Sequence, residues 1–129
     1  MIGPGIPERI QKLFHEEFPG IENPVFFQDG DTYTVYFKKD NNSSERVYYN
    51  SDAEMIKTVR YYTEDELTPF ICEKVNQKYK GKRIMGVTEV LSGTVHFYQI
   101  ILQGDKTWYV IKCDTRGFME IEKRWKGKV

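Results

Sequence analysis

Apolar residues recur every four positions at Ile6, Ile10, Phe14 and Phe18, and again at Leu67, Ile71, Val75 and Tyr79. Each member of the second set lies 61 positions after its counterpart, and Gly81 follows Gly20 by the same interval. A four-residue apolar spacing is the stripe of an amphipathic helix, with Arg9, Lys12 and Glu16 turned outward in the first copy. Pro7 and Pro19-Gly20 punctuate the first helix; Thr68 as N-cap, Pro69 at the first helical position and Gly81 as the stop punctuate the second.

After each helix the apolar period changes from four to two, which marks strands. The first module offers strands at Val25–Gln28, Asp31–Lys39, Glu45–Asn50 and Met55–Tyr62, parted by Asp29-Gly30 and the run from Asp40 to Ser44. The second offers Arg83–Leu91, Val95–Gln103, Lys106–Cys113 and Phe118–Trp125. The expected fold is therefore α+β: two tandem α-β-β-β-β repeats, about residues 6–62 and 67–126 of a single domain 1–129, forming one antiparallel sheet with both helices on one face.

Alternation also assigns faces. Tyr33, Val35, Phe37, Val47, Tyr49, Tyr98, Ile100, Leu102, Tyr109, Ile111 and Cys113 point toward the helices. The open face then carries Tyr36, Arg46, Tyr48, Phe97, Gln99 and Trp108.

Composition sharpens that picture. Aromatic residues make up 15% of the chain, with nine Tyr and eight Phe, a surplus over core needs that has to sit on a surface or interface. Lys plus Arg equals Asp plus Glu at 19 each, so no net field gathers nucleic acid, and nucleic-acid binding is not expected. No apolar run reaches the roughly 20 residues of a membrane helix, so the chain is not expected to span a membrane. The start from Met1 to Gly5 lacks the charged and apolar regions of a leader.

The residues Phe18-Pro19-Gly20, Gly30 through Phe37, Val47-Tyr48-Tyr49-Asn50, Tyr79-Lys80-Gly81, Tyr98 through Leu102 and the turn Asp114-Thr115-Arg116-Gly117 resemble the bacterial PepSY-like family, whose fold is like that of the β-lactamase inhibitor protein. The resemblance runs from about Ile6 to Trp125. It implies the two-repeat sheet, an exported protein of periplasmic or extracellular location whose native leader has been removed, and no catalytic residues. The chain departs from the pattern at Asn50-Ser51-Asp52-Ala53, where the family favours a glycine, and at Lys80-Gly81, which lacks the proline.

Candidate chemistry is sparse. His15 and His96 are remote from each other and set no metal-ligand spacing, and Asp29-Gly30-Asp31 and Asp40-Asn41-Asn42 read as turns, so neither a metal nor another cofactor is expected. Thr63 with Glu66 reads as a capping box. Cys72 lies beside the second helical stripe and Cys113 on the helix-facing side of its strand, which admits either a disulfide or two buried free thiols. The expected function is a non-enzymatic binding module of the bacterial envelope, engaging a protein or cell-envelope polymer through Tyr36, Arg46, Tyr48, Phe97, Gln99 and Trp108. The alternatives are a proteinaceous inhibitor of an extracytoplasmic enzyme and a sugar or small-ligand carrier. The sequence leaves the partner and the oligomeric state open.

Overall fold

The computed structural model describes residues 5–127; residues 1–4 and 128–129, including most of the Met1-to-Gly5 start read for a leader, lie outside the described residues. The elements follow in the order α1 (Glu8–Glu17), β1 (Val25–Asp29), β2 (Thr32–Asp40), β3 (Ser43–Tyr49), β4 (Met55–Tyr62), α2 (Pro69–Lys78), β5 (Arg83–Ser92), β6 (Val95–Gln103), β7 (Thr107–Asp114) and β8 (Met119–Lys126). A 3₁₀ turn, Glu64–Glu66, leads into α2. The eight strands form an antiparallel sheet in chain order, β1 to β8, so each strand pairs with its neighbour in sequence. Within each repeat that economy follows from hairpin connections, which need only short polar turns; between β4 and β5 the chain runs through α2.

The 61-residue interval holds down to backbone geometry. Both helices are ten residues long, and both bounds differ by 61. The N-cap dihedrals are φ −59, ψ 139 at Pro7 and φ −58, ψ 139 at Thr68, and Gly20 and Gly81 stop the two helices at φ 81 and φ 79. Thr68 adds what Pro7 cannot: its side-chain oxygen accepts from the Ile71 N–H at 3.4 Å. Farther along, Met55–Tyr62 and Met119–Lys126 are offset by 64, because the intervening hairpins differ in length.

The turns before those last strands show one mechanism in two chemistries. Asn50 Oδ1 accepts from the N–H groups of Asp52 and Glu54, and Asp114 Oδ1 accepts from those of Arg116 and Phe118. Each turn needs one residue with positive φ, supplied by Ala53 at 62 and Gly117 at 95. Ala53, where the second repeat has Gly117, thus adopts a conformation that favours glycine, at a cost of about 1–2 kcal/mol.

Two compact units divide the chain, Met1–Val59 and Arg60–Val129. Each has its own core. In the first, Ile10 and Phe14 of α1 pack with Phe26, Val35, Phe37, Val47 and Tyr49, and Phe14 meets Phe26 and Phe37 edge-on at 5.7 and 5.4 Å. Tyr49 is fully buried but satisfied, since its hydroxyl donates to Glu17 at the end of α1 at 2.9 Å. In the second, Ile71 and Val75 of α2 pack with Val87, Tyr98, Ile100, Leu102, Ile111 and Cys113. The inward assignments from alternation therefore hold, with Tyr33 and Tyr109 only partly buried against their cores. Each fully buried side chain contributes about 1.5–3 kcal/mol.

Two expectations need correction, and one open alternative is decided. The run Asp40–Ser44 is not a five-residue turn: β2 extends to Asp40 and β3 starts at Ser43. Asp40 Oδ1 accepts from the Asn42 N–H at 2.7 Å and the Ser43 hydroxyl at 3.1 Å, closing the reversal over Asn41-Asn42, with a bulge after Lys38. Thr63 makes no side-chain cap; Glu66 instead lies 3.7 Å from Arg60. Finally, the cysteines are unbridged: Cys72 Sγ lies 3.5 Å from Glu64 and 3.6 Å from Asn76, while Cys113 Sγ contacts the Asp114 carbonyl at 3.3 Å.

Candidate functional site

Strand alternation leaves one face of each unit without a helix packed on it. In the first unit, the β2–β3 register sets Tyr36 opposite Arg46 and Thr34 opposite Tyr48 on that face. The Arg46 guanidinium lies 5.2 Å from the Tyr36 ring centre, and the Lys57 ammonium lies 5.2 Å from that of Tyr48. Both rings therefore sit under cations, and each such contact contributes about 0.5–1 kcal/mol at an exposed site. Beside them on β1, Val25 pairs with Tyr36 and Phe27 with Thr34, and these apolar side chains are 40% and 48% exposed.

The outward face of the second unit is built the same way but with mixed charge. Lys112 lies 4.6 Å from the Phe97 ring centre, and Gln99 donates to Glu122 at 2.9 Å. Trp108, opposite Trp125 in register, stacks on it with ring centres 6.2 Å apart and planes 12° from parallel. Two shallow depressions indent this face. One, of about 210 Å³, is lined by Phe97, Lys112, Asp114, Phe118, Met119 and Glu120; the other, of about 410 Å³, by Thr88, Gln99, Ile101, Val110, Glu122 and Lys123.

All six residues expected on the open face are half-buried. Cross-strand neighbours cover them: Lys57 over Tyr48, Lys112 over Phe97, Trp125 against Trp108. The structure brings Tyr36, Arg46 and Tyr48 together in the first unit and Phe97 with Gln99 in the second, whereas Trp108, opposite Gln103, stands six residues along the ladder from Phe97. Sequence reading missed Lys57, Lys112 and Trp125, since their roles depend on register across hairpins.

Sequence reading also missed a polar cluster on the helix side of the second unit. Glu89 is only 8% exposed; its carboxylate accepts from the Tyr62 hydroxyl at 2.6 Å, meets His96 Nε2 at 2.6 Å and has the Arg60 guanidinium 3.5 Å away. Burial first, then the adjacent carboxylate, pushes the Tyr62 hydroxyl well above its usual range. The available signal was an acid at the inward phase of β5, two residues after Val87. Among the described residues no three His, Cys, Asp or Glu side chains gather as metal ligands. Both thiols are held above their usual range chiefly by burial, Cys113 to about 11, which disfavours the nucleophilic thiolate.

No protein-family model and no curated protein sequence matches the chain. Solved structures do. A DUF2874 family protein from Bacteroides ovatus ATCC 8483 superposes with a TM-score of 0.71 at 20% identity, covering 96% of this chain and 89% of that one. A BLIP-like protein from Bacteroides fragilis NCTC 9343 gives a TM-score of 0.72 at 14% identity over 98% and 92% of the two chains. A protein from Bacteroides eggerthii DSM 20697, provisionally described as periplasmic, gives 0.68 at 19% over 93% and 88%. At these identities the likeness establishes the fold, which is BLIP-like.

Proposed function

We propose that the chain is a non-enzymatic, PepSY-like binding module of the bacterial cell envelope, which engages a protein or cell-envelope polymer through its outward strand faces. One observation carries this reading: Tyr36, Tyr48 and Phe97 are each fixed beneath a cation, and Trp108 against Trp125, on faces that their own helices leave uncovered. Aromatic and Arg side chains held in place lose little freedom on binding, which is why they dominate interface energetics. An envelope location is supported by the structural neighbour provisionally described as periplasmic.

The test is the double variant Tyr48→Ala/Trp108→Ala. Each cross-strand pair is worth about 0.2–1 kcal/mol, so the thermal melt should shift by a few degrees at most. Capture of a partner from envelope extract should disappear. A collapsed melt would show these rings to be structural, and unchanged capture would remove them from the interface. A second reading, inhibition of an extracytoplasmic enzyme, is favoured by the BLIP-like neighbour but rests on fold, which does not transfer function. Absence of inhibition across peptidases and β-lactamases at micromolar protein would dispose of it.

A further inference from the structure

From charge and spacing on the outward face of the first unit, we infer that this face receives an acidic, extended polypeptide segment of its partner. The inference rests on the binding-module reading and names the partner's chemistry. The charged residues at outward strand positions here are Asp29, Lys38, Arg46 and Lys57: three cations against one carboxylate, in a chain whose charges balance overall. Asp29 lies at the end of β1, away from the ring pairs. The neighbouring cation Lys39 is spent elsewhere, on inward-facing Glu45 at 3.3 Å.

Geometry favours an extended chain over a diffuse anionic surface. Arg46 and Tyr48 are alternate residues of β3 and so stand about 7 Å apart on one face. The cation over Tyr48 is Lys57, and Arg46 rests on Tyr36, so the two ring-held cations belong to successive outward positions of β3. Same-side side chains of an extended peptide have the same pitch. Glutamates at alternate positions share one face of such a peptide and can meet Arg46 and Lys57, while the residues between them point away from the sheet. A cation already resting on a ring has given up part of its freedom, so pairing with a carboxylate costs less ordering.

The test is fluorescence anisotropy on the whole chain, with a short fluorescein-labelled peptide of alternating glutamate and valine as the probe. The matching lysine–valine peptide and phosphatidylglycerol vesicles are comparators. The glutamate peptide should bind, the lysine peptide should not, and raising salt to about 0.5 M should weaken binding severalfold. Arg46→Gln/Lys57→Gln should weaken it about tenfold, two exposed charge contacts being lost. Lys38→Glu, at an exposed position that cannot disturb the core, should weaken it as well and guards against a misfolded double variant. Equal affinity for both peptides, indifference to Lys38→Glu, or vesicle binding without glutamate-peptide binding would overturn the proposal. Partner capture from envelope extract separates the two levels: if wild type and the charge variants capture equally, the acidic-segment inference fails and the module reading stands. If wild type captures nothing, both fail.

Discussion

Replacing Tyr62 by Phe removes one hydroxyl from a site where the surroundings cannot easily make good the loss. Tyr62 is 5% exposed and Glu89 8%, so the carboxylate left behind has little access to water. Its 2.6 Å donor disappears, while His96 at 2.6 Å and Arg60 at 3.5 Å remain. A hydrogen bond to a charged group contributes about 1.5–3 kcal/mol, and with two partners retained the expected loss is about 2 kcal/mol. For a chain of this size that lowers the melting temperature by roughly 6 °C. The pH dependence gives a second, independent mark. The folded-state pKa of Tyr62 is raised above that of the unfolded chain, so its contribution is complete below about pH 10 and declines as pH climbs past it. The gap between wild type and Tyr62→Phe should therefore be constant from pH 7 to about 9.5 and narrow above 10. Urea unfolding followed by circular dichroism at about pH 7, 9.5 and 11 measures it. A variant as stable as wild type, or a gap that widens in alkali, would refute the argument that Tyr62 is held neutral as a donor to buried Glu89.

Other outcomes follow from the same structure. Ala53→Gly should stabilise by about 0.5–1 kcal/mol by relieving a positive φ of 62, whereas Gly117→Ala should destabilise, since its φ is 95 and a Cβ would stand 3.2 Å from Lys74; paired thermal melts decide both. Phe14→Ala, at a fully buried site, should cost about 3–5 kcal/mol in denaturant unfolding, and a cost below 1 would show that the core closes over the gap. In the native protein Cys72 should react with a thiol reagent, slowly until the pH exceeds about 9, and Cys113 should react only after unfolding. Fewer than two thiols released in denaturant would reveal the bridge that the structure lacks.

Much of the fold was legible because helix and strand periods differ and because the repeat states each element twice. The apolar stripe at Ile10, Phe14, Ile71 and Val75 needs no knowledge of neighbours, since it follows from 3.6 residues per turn. Faces were legible for the same reason: a period of two sets Val35 and Tyr36 on opposite sides whatever their partners are. Legibility stopped where meaning depends on register. Lys57 over Tyr48, Lys112 over Phe97 and Trp125 against Trp108 join different strands, and a shift of one residue would send each to the other face. The Asp40 reversal was misread because one side chain closes a turn that composition alone suggested was longer. The Glu89 cluster unites residues 27 and 7 positions away in sequence, and only the phase of Glu89 within β5 hinted at it.

Site-specific photo-crosslinking in the native cell tests the central claim most directly. A benzophenone side chain would be introduced singly at Tyr36, Tyr48, Phe97 and Trp108, and for contrast at the outer helix positions Lys12 and Gln77, where the strand faces play no part. Adducts to a partner should form from the four strand positions and not from the two helix positions. Adducts from Lys12 or Gln77 with none from the strand positions would contradict the assignment of binding to the outward aromatic faces.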